Sequence, residues 1–244
     1  MIVRQQPLSG PAILFGNRGA RANATENTIE AFLLARRLGA TGIETDLWTT
    51  ADGVPVLKTD GSVGRMRRRR LVDVDAADLP AEIPTLRSFY EELGPDLDIL
   101  ANIRTPAAGM AAISVAEEFG AVGRLWLVST ERDLLREWRE RSADVRLVDS
   151  TAPDQMLGGP ERHAADLRQE RIDGVALHQS VWHGGRVALF HRFARHCFAM
   201  DAPHERMIVA LMHMGIDGVS SPNPDLLLDA AVALTKPDYR GPRY

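Results

Sequence analysis

Short apolar runs rich in β-branched residues alternate along this chain with longer segments whose apolar positions recur every three to four residues. The short runs predict strands at AILFGN (12–17), TGIETDLW (41–48), PVLKTD (55–60), DILANIR (98–104), RLWLVS (124–129), VRLVDS (145–150), GVALHQ (174–179), HCFAMD (196–201) and GIDGVSS (215–221). Between them, ENTIEAFLLARRLGA (26–40) predicts a helix with Ile29, Phe32, Leu33 and Leu34 near one face, Thr25 as its cap and Gly39 at its end. TLRSFYEELG (85–94), ERDLLREWRERS (131–142), GGRVALFHRFARH (184–196), HERMIVALMHMG (204–215) and PDLLLDAAVALT (224–235) carry the same helical period. Strand followed by helix, repeated, is the rhythm of a parallel sheet wrapped by helices, and 244 residues suit one α/β (β/α)8 TIM barrel over 1–244. Nine strand candidates exceed the eight a barrel needs, so PVLKTD is expected to be a loop extension. Residues 61–84 read as a polar insertion with one hydrophobic break.

Charge and cysteine content narrow the classes. With 29 Lys and Arg against 33 Asp and Glu, the formal charge of −4 offers no general attraction to nucleic acid, and no nucleic-acid partner is expected. The run Arg65–Arg70 (RMRRRR) is the local exception and a candidate contact for an anionic partner. The single cysteine, Cys197, excludes an internal disulfide and reads as a small buried residue. No stretch reaches the roughly 18 apolar residues of a membrane span, so a cytoplasmic protein without a transmembrane segment is expected.

In a barrel of this kind chemistry sits at the C-terminal strand ends. There the chain places Asn17-Arg18-Gly19, Glu26-Asn27-Thr28 and the pair Glu44 and Asp46, two apart on one strand and so on one face. Two inward carboxylates need a cation or basic partners. They are candidate ligands for Mg²⁺ or Ca²⁺, the alternative being an ion pair with Arg18 or Arg104. His178, at the end of a late strand, is a candidate proton carrier, with His183 beyond it; Asp60 and Asp201 are further acids near the expected mouth. His191, His196, His204 and His213 fall in or beside helical patterns and read as packing or surface residues. Trp48, Trp182, Phe198 and Met200 are candidates for an apolar pocket beside the anion site.

NRGARANATENTIEAFLLARRLGATGIETDLWTTADGVPVLKTD (17–60) resembles the signature of the glycerophosphodiester phosphodiesterase family, which reads His-Arg-Gly, Glu-Asn-Thr, Glu-x-Asp, His-Asp. IPTLRSFYEELG, FAMDAPHERM and MGIDGVSSPNPDLL continue the resemblance over nearly the whole chain. It implies a TIM barrel handling a phosphate-containing or phosphodiester small molecule, with Arg18 on phosphate, Glu44 and Asp46 on metal, and Glu26 and Asn27 kept. The two family histidines fall on Asn17 and Thr59, with Asp60 retained. The family's third metal ligand and its basic partner fall on Asn102 and Arg104, its late Trp on Phe198 and its late Asn or Asp on Asp201. Neither Asn nor Thr exchanges protons near neutral pH, so the resemblance implies a weakened metal site and little classical hydrolysis. Two alternatives remain: a divergent enzyme of lyase or cyclase type using His178, Asp60 or Asp201 as proton carrier, and an ordinary metal-dependent hydrolase.

Overall fold

The computed structural model describes residues 5–64 and 67–235. Along the chain lie β1 (Ile13–Asn17), α1 (Ile29–Arg37), β2 (Gly42–Thr49), β3 (Pro55–Leu57), β4 (Ser62–Val63), β5 (Arg69–Arg70), α2 (Leu86–Leu93), β6 (Asp98–Ile103) and α3 (Pro106–Glu118). There follow β7 (Leu125–Ser129), α4 (Arg132–Arg141), β8 (Arg146–Asp149), α5 (Gly159–Gln169), β9 (Gly174–His178), α6 (Gly184–Arg192), β10 (His196–Met200), α7 (Glu205–His213), β11 (Gly218–Ser221) and α8 (Pro224–Ala233). Strands β1, β2, β6, β7, β8, β9, β10 and β11 pair in parallel, and β1 pairs with both β2 and β11, which closes an eight-stranded barrel ringed by the helices. The expected TIM architecture is therefore present. As expected, the PVLKTD segment adds no barrel stave: β3 runs antiparallel along the outer end of β2.

Two apolar layers hold the barrel. Its interior is filled by Phe15, Leu100, Trp126, Val128, Val148, Ala176 and Phe198, all at alternate, inward positions of their strands. A larger layer, from Leu14 and Ile43 to Val219 and Leu227, fills the space between strands and helices. Glycine makes the interior packing possible at Gly218, where a Cβ would come within 2.8 Å of both Phe15 and Phe198.

Helix α1 is capped by Thr28, whose hydroxyl accepts from the Ala31 amide at 3.2 Å, and not by Thr25 as the sequence suggests. Thr28 wins because the chain is held extended there, whereas Asn27 just before it turns left-handed to reach the barrel mouth. Helices α3 and α5 escape the sequence reading. The first is so rich in alanine that its two faces scarcely differ, and the second begins at Gly159-Pro160 and reads as a turn.

The 61–84 segment is folded, not a plain polar loop. Val63, Leu71 and Val74 pack with Val56 as a small apolar cluster that Trp48, Val54, Leu79 and Ile83 cover. No helix among the described residues is long and apolar enough to cross a membrane.

Candidate active site at the barrel mouth

Strand β1 ends in a tight reversal that delivers Asn17 and Arg18 to the mouth. The Arg18 amide bonds the Glu44 carbonyl at 2.7 Å, Arg18 itself is left-handed (φ 51), and Gly19 follows at φ 84. A Cβ on Gly19 would meet the backbone of Ala31 at 2.6 Å, so only glycine lets α1 close against the strand end. Asn27 (φ 54) and Asp201 (φ 59) are also left-handed, so three of the five non-glycine residues described with positive φ stand at this mouth. Such strain persists only where surrounding bonds over-determine it.

Glu44 and Asp46 project from β2 into the mouth, each nearly inaccessible, at 7% and 1% exposure. Their partners differ in kind. Glu44 receives only uncharged donors: the Asn17 amide, the Ser220 hydroxyl from β11, and the Asn102 amide from β6 at 3.0 Å. Asp46 receives two guanidiniums, Arg18 Nε at 3.0 Å on one oxygen and Arg104 Nε and Nη2 at 2.8 and 2.5 Å on the other. Arg18 also bonds Glu26 at 3.0 Å. The Thr59 hydroxyl donates to Glu26 at 2.5 Å and accepts from the Asn27 amide at 3.0 Å, and Asn27 in turn accepts from Thr45 at 2.8 Å. Two buried side-chain atoms here, the Asn17 Oδ1 and the Arg21 Nε, have no hydrogen-bond partner among the described residues.

The two glutamates titrate in opposite directions. Burial pushes Glu44 above the usual carboxyl range, and the charge of Asp46 adds to this against the Ser220 and Asn102 hydrogen bonds. For Glu26 burial is again the largest influence and acts upward, but hydrogen bonds from Thr59 and Arg18 and the charges of Arg18 and Arg21 together hold it low. Arg18 is drawn down by burial, yet Asp46 and Glu26 more than compensate, so it stays protonated. A carboxyl raised by folding stabilises the folded state below its unfolded pKa and loses that contribution as pH rises through the folded value; Glu26 behaves in the opposite sense. Relative to Glu44→Gln, the wild-type protein is expected to lose melting temperature as pH rises from about 4 to about 7. Parallel melting curves across that range would show that Glu44 does not carry the shift.

Residues expected at the site divide into two groups. The structure gathers Asn17, Arg18, Glu44, Asp46, Thr59, Asn102 and Arg104, with Glu26 and Asn27, into one hydrogen-bonded network. It keeps others apart. His178, exposed at the end of β9, bonds Ser180 at 2.7 Å, and Asp201 accepts from Arg21 at 2.6 Å. Asp60 is held by Lys58 and Arg68 at 2.6 Å each. The Lys58 hydrogen bond leads the influences that keep Asp60 low, which suits a fixed anion and not a proton carrier at neutral pH.

Phe198 is a correction. It is fully buried in the barrel interior against Trp126 and Phe15, ring centroids 4.9 and 5.9 Å away, and has no surface to offer a substrate. The expected apolar pocket fails with it: Trp182 lies in the outer layer against Phe190, and the Trp48 indole bonds the Lys58 carbonyl beneath the insertion. Sequence reasoning missed Ser220 and Arg21. Both lie inside segments that carry the family resemblance, 17–60 and 214–227, but neither stands at a position to which the resemblance gives a role; the polar Ser220 at an inward strand position was the available signal.

Outward from Glu26 and Thr59 the network opens into a cleft of about 340 Å³ between α1 and the insertion, lined by Asn27, Lys58, Asp60 and Glu82 among others. The Glycerophosphoryl diester phosphodiesterase family profile matches residues 18–158, and these include most of the network. The chain belongs to that family. It is 29% identical over 230 residues, 85% of each chain, to a probable glycerophosphodiester phosphodiesterase 2 of Mycobacterium tuberculosis. It is 49% identical over 107 residues to glycerophosphodiester phosphodiesterase 1 of Bos taurus, covering 36% of this chain and 32% of that one. Among solved structures, a putative glycerophosphoryl diester phosphodiesterase from Silicibacter pomeroyi superposes with a TM-score of 0.81 at 16% identity, over 95% and 96% of the two chains. An Oleispira antarctica phosphodiesterase, solved with the product sn-glycerol-3-phosphate, gives 0.78 at 19% identity over 90% and 96%. At those identities the superpositions speak for the fold.

Family members typically depend on a metal, and the donor set tests whether one fits here. All four oxygens of Glu44 and Asp46 already accept hydrogen bonds, and two of them face guanidiniums that would repel a cation. Where a third carboxylate would complete a hard-cation site there is the Asn102 amide, turned to donate. The only cluster of three metal-ligating side chains among the described residues is His191, Cys197 and Asp217, away from the mouth. There the Asp217 carboxylate is taken by the Leu8 and Cys197 amides, 2.7 Å each, and by His191 at 2.8 Å. The residues at the mouth do not fit a divalent ion well.

Proposed function

We propose that this barrel binds a phosphate-containing ligand, a small phosphodiester or its phosphomonoester product, and hydrolyses it little or not at all by the classical route. The observation that carries the reading is the pairing at the mouth: the side chains where the family resemblance puts proton-carrying histidines are Asn17, bonded to Glu44, and Thr59, bonded to Glu26. Neither titrates near neutral pH, and general acid or base catalysis typically supplies 10²–10⁴-fold per group, so a loss of roughly 10⁴-fold or more is expected. The binding groups persist. Arg18 and Arg104 keep 25% and 45% of their side chains exposed while Asp46 holds their inner edges, which leaves guanidinium donors free for a phosphate oxygen. The sn-glycerol-3-phosphate bound by the Oleispira protein supports the ligand class.

Without a fitting metal, this chain's own residues account for what the site does. Arg18 and Arg104 neutralise and orient the phosphate, Asp46 pre-organises both arginines, and Asn17, Asn102 and Ser220 keep Glu44 tied down. The alternative proton carriers Asp60 and Asp201 are ion-paired, which favours binding over a divergent reaction. The test is calorimetry with glycerol 3-phosphate and with glycerophosphocholine, hydrolysis being followed in the same samples with and without Mg²⁺ or Ca²⁺. Binding with product release at the background rate, unaffected by metal, is expected. Metal-dependent turnover abolished by Glu44→Ala would overturn the reading.

A further inference from the structure

Beside the mouth stands a feature that phosphate binding does not use. The insertion rises from the β2–β3 arm as the β4–β5 hairpin, with Val63 paired to Arg69 and Ser62 to Arg70. Its base is fixed: the Leu71 amide bonds the Gly61 carbonyl at 2.8 Å, the Ala51 amide bonds the Val74 carbonyl at 2.9 Å, and Val63, Leu71 and Val74 are buried. The hairpin presents a run of arginines, whereas the rest of the insertion exposes Asp73, Asp75, Asp78 and Glu82. Arg67, Arg68, Arg69 and Arg70 are all exposed; Arg65 and Met66 lie outside the described residues. Arg68 bonds Asp60, and Arg70 lies 3.4 Å from Asp73, both at the solvent surface. Arg67 and Arg69 have no ion-pair or side-chain hydrogen-bond partner among the described residues. Four exposed guanidiniums in a row, two of them unpartnered among the described residues, do nothing for stability that a mixed surface would not do better.

The same end of the barrel carries a second exposed oddity. Leu157, in the loop that leaves the C-terminal end of β8, is 88% exposed, the most exposed large apolar side chain described. We propose that this rim docks on an anionic phospholipid surface, with the arginine hairpin meeting lipid phosphates and Leu157 entering the interfacial layer. Charge sets the approach, and two further observations select a bilayer over other polyanions. The chain's net charge of −4 makes the attraction local, so the protein meets a negative surface hairpin first. The insertion, residues 61–84, contains no aromatic residue on which a nucleic-acid base could stack. An apolar side chain on the rim gains by entering lipid and gains nothing from a soluble polyanion. The docking places the cleft beside the surface from which phospholipid-derived headgroups are released.

Co-sedimentation with vesicles tests this. One set contains phosphatidylcholine alone and the other about one-third phosphatidylglycerol. The 244-residue chain is expected to partition onto the anionic set only, and to lose at least tenfold in partition when salt rises from roughly 50 to 500 mM. Arg67→Glu/Arg69→Glu should abolish the binding, since each arginine near an anionic surface is worth about fivefold. Arg67→Ala/Arg69→Ala, with an unchanged melting temperature, covers the case in which charge reversal disturbs folding. Leu157→Ser should lower partition several-fold at constant charge. Equal partition onto both sets, or unchanged partition of both arginine variants, would overturn the proposal. So would competition by single-stranded RNA together with indifference to Leu157→Ser, which assigns the hairpin to a dissolved polyanion. The vesicles carry no glycerophosphodiester, so failure here leaves the proposed ligand site standing.

Discussion

The double variant Arg18→Ala/Arg104→Ala is expected to lose affinity for glycerol 3-phosphate by at least about 10²-fold, because each charge-assisted bond to phosphate contributes roughly 1.5–3 kcal/mol. Its stability should fall as well. Asp46 is 1% exposed and would lose both of its cationic partners, a change that costs about 3–5 kcal/mol when a pair is fully buried. Arg18 and Arg104 are partly exposed, so solvent screening reduces the expected loss to about 1–3 kcal/mol. Adding Asp46→Asn separates the two effects: it should return most of the lost stability and none of the affinity. Arg104→Lys is the finer probe. It keeps the charge but cannot hold Asp46 through two nitrogens, and a several-fold weaker Kd is expected. Calorimetry and thermal melts on the four proteins decide the matter, and an unchanged Kd in the double variant would remove the arginines from the ligand site.

Phe198→Ala should produce the largest loss of stability, about 3–5 kcal/mol, as expected for a phenylalanine removed from a fully packed interior. For a chain of this length that corresponds to a fall in Tm of about 10 °C or more. The interior cannot collapse around the gap. Phe15 and Trp126 contact the missing ring edge-on from neighbouring positions, and both sit on strands whose spacing the barrel's hydrogen bonds hold. The affinity of the folded fraction for glycerol 3-phosphate should not change, since Phe198 lies beneath the mouth. The opposite pattern, a small change in Tm with a large change in Kd, would return Phe198 to the ligand site.

Much of the barrel is legible in the chain because strand–helix alternation is a local property. Eight β-rich runs became the eight staves, and PVLKTD, interrupted by Lys58 and flanked by turns, became an outer antiparallel strand. Helix α3 was hidden where local contrast vanishes: PAAGMAAISVAEE buries one face, but alanine lines both. The cap of α1 was misplaced because Thr25 and Thr28 are equivalent by residue type, and only the left-handed turn at Asn27 distinguishes them.

The site shows the same division more sharply. The i,i+2 spacing of Glu44 and Asp46 and the residues around Asn17, Thr59 and Asn102 determine which groups reach the mouth, because a strand sends alternate side chains to one face. How those groups pair depends on strands far apart in sequence. Parallel register sets Asn102 opposite Asp46 and Asn17 opposite Glu44, and closure of the barrel brings Ser220, 176 residues away, onto the Glu44 carboxylate. That arrangement gives Glu44 neutral donors and Asp46 both arginines. It also buries Phe198, which sequence alone placed beside the ligand, because the inward face of a strand can lead either to the mouth or into the packed interior beneath it. The sequence by itself determined the barrel and the chemical inventory of its mouth, since both follow from local periodicity and residue type. Only the tertiary structure decided the partners, because hydrogen bonds and burial are set by the distances between strands.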